Sequence, residues 1–205
     1  IGIKASTGNY IALCNNDLIF SKNWFSEILK IKVLNPSIKS FSPNGTVCDK
    51  SLTKQFEIGY KVMTHIKGWC IVTNREVFPE IGFLDETFNF YFADNDYAMT
   101  LKSRNIKHAL VYKSHVEHLE KQSSNKSLEN KTLDKRVLSK YKIPKYLHKK
   151  QYLWVFNNEN NLSGFLKFHN KWGSPNLLYK KNKLADILMK YKLGYFNRFF
   201  FKLKI

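Results

Sequence analysis

Three polar clusters in this chain carry side chains able to do chemistry together. Asn15-Asn16-Asp17 follows a short apolar run over residues 9–14. Asp94-Asn95-Asp96 follows the aromatics Phe88, Phe90, Tyr91 and Phe92, and His115 and His118 close a third apolar run. Carboxylate oxygen with imidazole nitrogen suits Mg²⁺ or Mn²⁺ bridging a diphosphate, because such ions keep positions open for phosphate oxygens. A second carboxylate is then free to act as general base. Each cluster also has an ordinary reading. Asn-Asn-Asp after a strand is turn chemistry, Asp94 and Asp96 are helix caps, and the histidines are surface residues.

The flanking residues show how these groups would be held. Residues 9–14 read as a buried strand that delivers Asn15-Asn16-Asp17 at its C-terminal end, where α/β sheets place ligands. Ser21 offers an N-cap, and Trp24, Phe25, Ile28, Leu29 and residues 31–34 form a helical stripe that stops before Asn35-Pro36. A weak strand over 39–47 contains the turn Pro43-Asn44-Gly45, and residues 55–64 suit either helix or strand. Residues 68–73 read as a second buried strand, 75–78 as a helical turn, and Ile81-Gly82-Phe83-Leu84 as a link. Tyr97, Met99 and Leu101 begin a helix ending near Asn105, with Asp94 or Asp96 as its cap. A strand over 107–112 runs into the histidines and a loop over 120–126.

At 205 residues and 24.2 kDa, with 43% hydrophobic and 24% charged residues, the chain can bury one large domain or a domain plus an appendage, which rules out wholesale disorder. Lys and Arg number 34 against 16 Asp and Glu, a formal charge of +18, which attracts nucleic acid, anionic lipid or phosphorylated small molecules. Only Arg75, Arg104, Arg136 and Arg198 are arginines, and duplex reading favours arginine's planar fork, so sequence-specific nucleic-acid binding is disfavoured. Cys14, Cys48 and Cys70 form no CxxC pair, so neither a disulfide framework nor a zinc knuckle is expected. Two of the cysteines lie in apolar runs and read as buried thiols in a reducing, cytoplasmic setting. No apolar stretch approaches the roughly 18 residues that cross a bilayer. Beyond residue 127 the chain is rich in Lys and aromatics, through Trp154 and Trp172 to residues 197–204, a mixture suited to a peripheral place at the inner membrane face. The chain opens on Ile1 rather than Met, and an N-terminal truncation is expected.

The order of the clusters and their flanks resembles the family 2 glycosyltransferases of the GT-A fold. Residues 2–17, from Gly2 through Ala5-Ser6-Thr7-Gly8-Asn9-Tyr10-Ile11 to Asn15-Asn16-Asp17, are similar to the family's segment ending in its Asp-x-Asp motif, here as Asn-x-Asp. Gly68-Trp69-Cys70-Ile71-Val72-Thr73 resembles the strand beside the acceptor. Ile81-Gly82-Phe83-Leu84-Asp85-Glu86-Thr87-Phe88, then Tyr91-Phe92-Ala93-Asp94-Asn95-Asp96, resembles the segment carrying the base, and His118 with Ser123 matches the late histidine and serine. The resemblance spans residues 1–123.

It implies the C-terminal part of a GT-A, Rossmann-like mixed α/β sheet flanked by helices over residues 1–126, the metal and acceptor half. A basic, mostly helical segment over 127–205 follows as an accessory. Asp17 would bind a divalent Mg or Mn ion and the diphosphate, with Asn15 and Asn16 facing the nucleotide-sugar donor. His118 would be the second metal ligand, with His115 as runner-up. Asp94 would be the general base of an inverting single displacement, and Gly68, Trp69 and Asp96 would line the side of a glycan or lipid-linked acceptor, the indole stacking on a sugar face. Two departures stand out: Ala93 replaces the usual Glu, and Thr100 the usual Arg. The family's first strand-helix units, which hold the nucleotide base, would lie before Ile1, so residues 1–205 alone are expected to bind donor poorly. The competing expectations are a non-catalytic remnant of the fold, or a basic module that uses Lys and aromatics over 141–172 to hold nucleic acid or an anionic surface.

Overall fold

The computed structural model describes residues 1–45, 53–88, 91–119 and 133–173, and the single positions 187, 191, 193 and 196. Cys48, Phe90, the 120–126 loop with Ser123, and residues 197–204 lie outside the described residues. The chain is a mixed α/β protein that divides into two compact units. Ile1–Leu84 with Tyr97–Ser124 form one; Asp85–Asp96 with Asn125–Ile205 form the other.

In the first unit a short helix, α1 (Gly2–Ala5), precedes β1 (Tyr10–Cys14), β2 (Leu18–Phe20), α2 (Trp24–Leu34), β3 (Ile38–Asn44), β4 (Phe56–Ile58), β5 (Cys70–Asn74) and α3 (Val77–Ile81). Helix α4 (Ala93–Ser103), which belongs to this unit from Tyr97 on, and the long strand β6 (Lys107–His118) follow. The six strands make one mixed sheet in the order β1-β5-β3-β6-β2, with β4 also on β6. Among these six strands, β3 and β6 pair in parallel and the other pairs are antiparallel. That ladder shifts between Pro43 and Asn44, where the proline has no N–H to give it.

Helix α2 packs on this sheet through Ile28 and Ile31, which join Ile38, Phe41, Val72, Ala109 and Val111 in the core. Burial of each isoleucine contributes about 1.5–3 kcal/mol. The helix ends where the Asn35 N–H turns back to the Ile31 carbonyl, just ahead of Pro36. Its start differs from expectation: the residue before the first turn is Asn23, and the Ser21 hydroxyl donates instead to the His115 carbonyl at 2.8 Å. The short strand β2 had no signal of its own. Three residues need a partner to be a strand, and β6 supplies it. Strand β1 is also not the buried strand its apolar letters suggest. It pairs with β5 alone among the described residues, and only Ile11 in it is buried. The helical turn expected over 75–78 is instead a helix that starts at Val77, after Glu76, and stops at Gly82, whose φ of 77° suits a residue without Cβ.

A polar chain runs through the interior of this unit. Tyr97 Oη lies 2.7 Å from Thr73 Oγ1 and 2.8 Å from Ser40 Oγ, which is 2.8 Å from His108 Nδ1. His108 Nε2 is 3.1 Å from the His65 carbonyl, which can only accept, so Nε2 carries the proton. Nδ1 then accepts from Ser40, Ser40 from Tyr97, and Tyr97 from Thr73. Burial holds His108 neutral, its imidazole pushed down to about 3.

The second unit consists of α5 (Lys135–Leu138), 3₁₀ turns at Lys145–His148 and Lys150–Asn157, and α6 (Glu159–Trp172), with Asp85–Asp96 packed among them. Asn158 caps α6 by accepting from the Asn160 N–H, and Leu147, Val155, Phe156, Leu162 and Phe165 form its core. Gly164 is required in α6, because a Cβ there would stand 2.7 Å from the Tyr91 carbonyl oxygen. Phe92 has a left-handed backbone, φ 67°. Its ring is held by Phe165, Phe168 and Trp154, at centroid distances of 5.2, 5.8 and 6.2 Å.

Candidate functional site

Asn15, Asn16 and Asp17 form the connection from β1 to β2. The Asn15 N–H donates to the Trp69 carbonyl at 2.9 Å, and the Leu119 N–H to the Asp17 carbonyl at 3.0 Å, so both ends of the connection are fixed by the sheet. Asp17 Oδ1 faces His118 Nε2 at 3.2 Å, and Asn15 Nδ2 lies 3.5 Å from the same nitrogen. Asp17 Oδ1 is shielded from solvent yet accepts no hydrogen bond: the imidazole is within ion-pairing distance but off the hydrogen-bonding direction. With the His118 proton on Nδ1, two electron-pair donors would face each other here, an arrangement that fits a shared hard cation with positions left for phosphate oxygens. Among the described residues no group of three or more His, Cys, Asp or Glu side chains surrounds such a position. Asn16 is exposed at the tip of the turn.

Trp69 is only 8% exposed, and it packs with Cys70, Val116, Leu18 and Trp24. Its indole stacks on His118, centroids 5.6 Å apart and planes 20° apart. The ring therefore backs the imidazole, with one face already covered. Gly68 lies in the turn closed by the Cys70 N–H and the Lys67 carbonyl, 2.8 Å apart. His115 does not share this position with His118. Successive side chains of a strand point to opposite faces, and Val116, between the two histidines, packs with Trp69 on the His118 side. The His115 carbonyl instead takes the Ser21 N–H and hydroxyl. One contributor lacked any signal in the sequence: a Cβ on Gly45 would stand 3.0 Å from the Trp69 ring, so the glycine clears space for the indole. A groove of about 620 Å³ along α2, lined by Lys30, Val33, Leu34 and Lys113 among others, shares none of these residues and gathers no comparable chemistry.

Asp94 and Asp96 belong to the second unit. Helix α4 begins at Ala93, so both lie inside its first turn, where negative charge suits the helix dipole, and neither is the cap. Asp94 accepts the Asn95 N–H at 2.8 Å, and its burial raises the carboxyl above the ordinary 3.8. Asp96 is occupied: Trp172 Nε1 donates to Oδ1 at 2.6 Å, and Lys171 Nζ reaches Oδ1 at 2.8 Å and Oδ2 at 3.0 Å. The same ammonium binds Asp85 Oδ2 at 2.8 Å. Burial raises the Asp96 carboxyl, with Lys171 opposing. These bonds tie the first turn of α4 to the end of α6.

No protein-family model matches the chain, and no curated protein matches it either.

Proposed function

We propose that this chain belongs to a metal-dependent, inverting glycosyltransferase of GT-A type that moves a sugar from a nucleotide-diphosphate donor to a hydroxyl of a glycan or lipid-linked acceptor. The observation that supports this reading best is the meeting of Asp17 and His118 from opposite ends of the first unit, with an unbonded carboxylate oxygen turned toward an imidazole nitrogen. Mg²⁺ or Mn²⁺ held by that pair would offset the charge that grows on the departing diphosphate. Asn15, with its amide against the same imidazole and its backbone anchored to Trp69, is placed to orient the donor. Asp94 serves as general base: its carboxylate takes the acceptor hydroxyl's proton as that oxygen attacks the anomeric carbon, and its burial favours this by raising its basicity. The resemblance to family 2 glycosyltransferases implies a single displacement that inverts configuration.

A surface in the second unit supports an acceptor at an anionic membrane. Leu153 and Trp154 are 51% and 47% exposed, and Lys145, Lys149 and Lys150 beside them in sequence are exposed as well. Apolar and aromatic side chains interleaved with cations suit the lipid headgroup region. No described helix is long and apolar enough to cross a membrane. The proposed location is therefore peripheral, at the cytoplasmic face.

Calorimetric titration of UDP- and dTDP-sugars with Mn²⁺ into the natural full-length polypeptide tests the reading. Binding must require the metal and vanish in Asp17→Ala. Donor binding that ignores both the metal and the substitution overturns it.

A further inference from the structure

Cys14 and Cys70 face each other across the β1–β5 ladder, in register as direct partners, with their sulfur atoms 3.7 Å apart. The neighbouring pair, Asn15 and Trp69, is hydrogen-bonded through the Asn15 N–H. Hydrogen-bonded and non-hydrogen-bonded pairs alternate along an antiparallel ladder, so Cys14 and Cys70 occupy a non-hydrogen-bonded pair. In such pairs the side chains approach most closely and the Cα separation falls within the range a disulfide spans. The two thiols differ in access. Cys14 is exposed at the sheet edge, and Cys70 is fully buried among Trp69 and Val116.

We propose that Cys14 and Cys70 are a built site of reversible oxidation, with Cys14 the thiol that meets a peroxide and Cys70 the thiol that resolves it into an intrachain disulfide. The Cys14 sulfur attacks one peroxide oxygen, the O–O bond breaks, and a water or alcohol leaves, giving a sulfenic acid on Cys14. Cys70 sulfur then attacks Cys14 sulfur, the S–O bond breaks, and the hydroxide leaves as water with the Cys70 proton. The thiol pair loses two electrons and the peroxide gains them. Electrostatics agree with this division of labour. A hydrogen bond from Cys70 lowers the Cys14 thiol, while that same bond and burial raise Cys70. The bond would link the residue before Asn15 to the residue after Trp69, clamping the strand ends that carry the donor-side turn.

The experiment exposes the folded chain to hydrogen peroxide and reads intact mass and non-reduced peptide maps, so donor binding plays no part in the result. The expected product is a chain lighter by two hydrogens, with a Cys14–Cys70 cross-linked peptide, loss of Cys14 alkylation, and full recovery with dithiothreitol. Cys70→Ser is expected to stop at the sulfenic acid, trapped by dimedone on Cys14, and Cys48→Ser to behave as the parent chain does. A cross-link through Cys48, or a Cys70→Ser chain with no dimedone adduct on Cys14, overturns the proposal. So does an oxidised parent chain that accumulates sulfinic acid on Cys14 in place of the link.

Discussion

The imidazole of His118 lies nearly parallel to the buried indole of Trp69, their planes 20° apart, so the core of the sheet decides where His118 Nε2 faces. Trp69 is then a positioning residue for the proposed metal ligand His118. Trp69→Phe keeps a ring behind the imidazole and is expected to retain Mn²⁺-dependent donor binding. Trp69→Leu is expected to weaken it by about 10- to 100-fold, the usual effect of losing the group that orients a metal ligand. His118→Gln should abolish it. Calorimetry on the three variants, with circular dichroism to confirm folding, measures the series; equal affinity in Trp69→Leu and parent would remove the positioning role.

Asp94→Asn should lower turnover by about 10² to 10⁴ while leaving donor affinity unchanged, as loss of a general base does. The base acts when deprotonated, and burial raises its carboxyl above 3.8, so kcat/KM falls as pH drops through that raised value and levels off above it. A pH–rate profile checks both statements, and an acid limb that survives in Asp94→Asn would belong to another group.

Asp96 has a structural occupation that competes with contact to an acceptor. Asp96→Ala would leave the buried Trp172 indole N–H without this acceptor and the partly buried Lys171 ammonium with Asp85 in its place, and leaving such a donor unmatched costs about 1–3 kcal/mol. Urea unfolding should show the loss. Unchanged stability together with a raised acceptor KM would instead assign Asp96 to the acceptor.

His108 makes the fold sensitive to acid. Its imidazole is near 3 in the folded state against 6.5 when solvated, so between those values the unfolded chain binds the extra proton. The stability contributed by the neutral ring is fully present above about 6.5 and declines as pH falls toward 3, at most about 1.4 kcal/mol per pH unit. Urea midpoints measured across this range should show that slope, and His108→Asn should flatten it.

Trp154 and its lysines should govern attachment to anionic lipid. Trp154→Ala combined with Lys149→Ala and Lys150→Ala is expected to reduce sedimentation with phosphatidylserine vesicles by more than tenfold, given about 1 kcal/mol per cation near the surface. Neutral phosphatidylcholine vesicles should hold the parent chain weakly, and equal binding to both lipids would reject an electrostatic contact.

Helix α2 was readable because its apolar residues recur at the helical period and stop before Pro36, and β5 because an unbroken apolar run follows Gly68; β3 gave only a weak signal, and Pro43 and Asn44, read as a turn, lie inside its strand. The turn at Asn15-Asn16-Asp17 was equally legible, since a polar cluster after an apolar run marks a strand end, but the same rule ended β6 at residue 112, whereas its pairing with β2 carries it on to His118. Strand β2 was hidden because Leu18, Ile19 and Phe20 form a strand only by pairing with β6. The edge position of β1 was hidden for a related reason: its letters match those of a central strand, and only topology separates the two. Nothing in the sequence linked Asp96 to Lys171 and Trp172, or Ser40 to Tyr97 and His108, because such bonds follow from tertiary packing rather than from spacing.

The left-handed backbone at Phe92 sits two residues before the proposed base, and a bulky residue keeps that shape only where its surroundings insist. Here the insistence comes from Phe165, Phe168 and Trp154. Uncharged side chains far along the polypeptide thus act as a mould for the backbone that presents Asp94. In the proposed reaction, a change to any of these three rings can displace Asp94 while every reactive group survives, so residues 154, 165 and 168 contribute shape as much as surface.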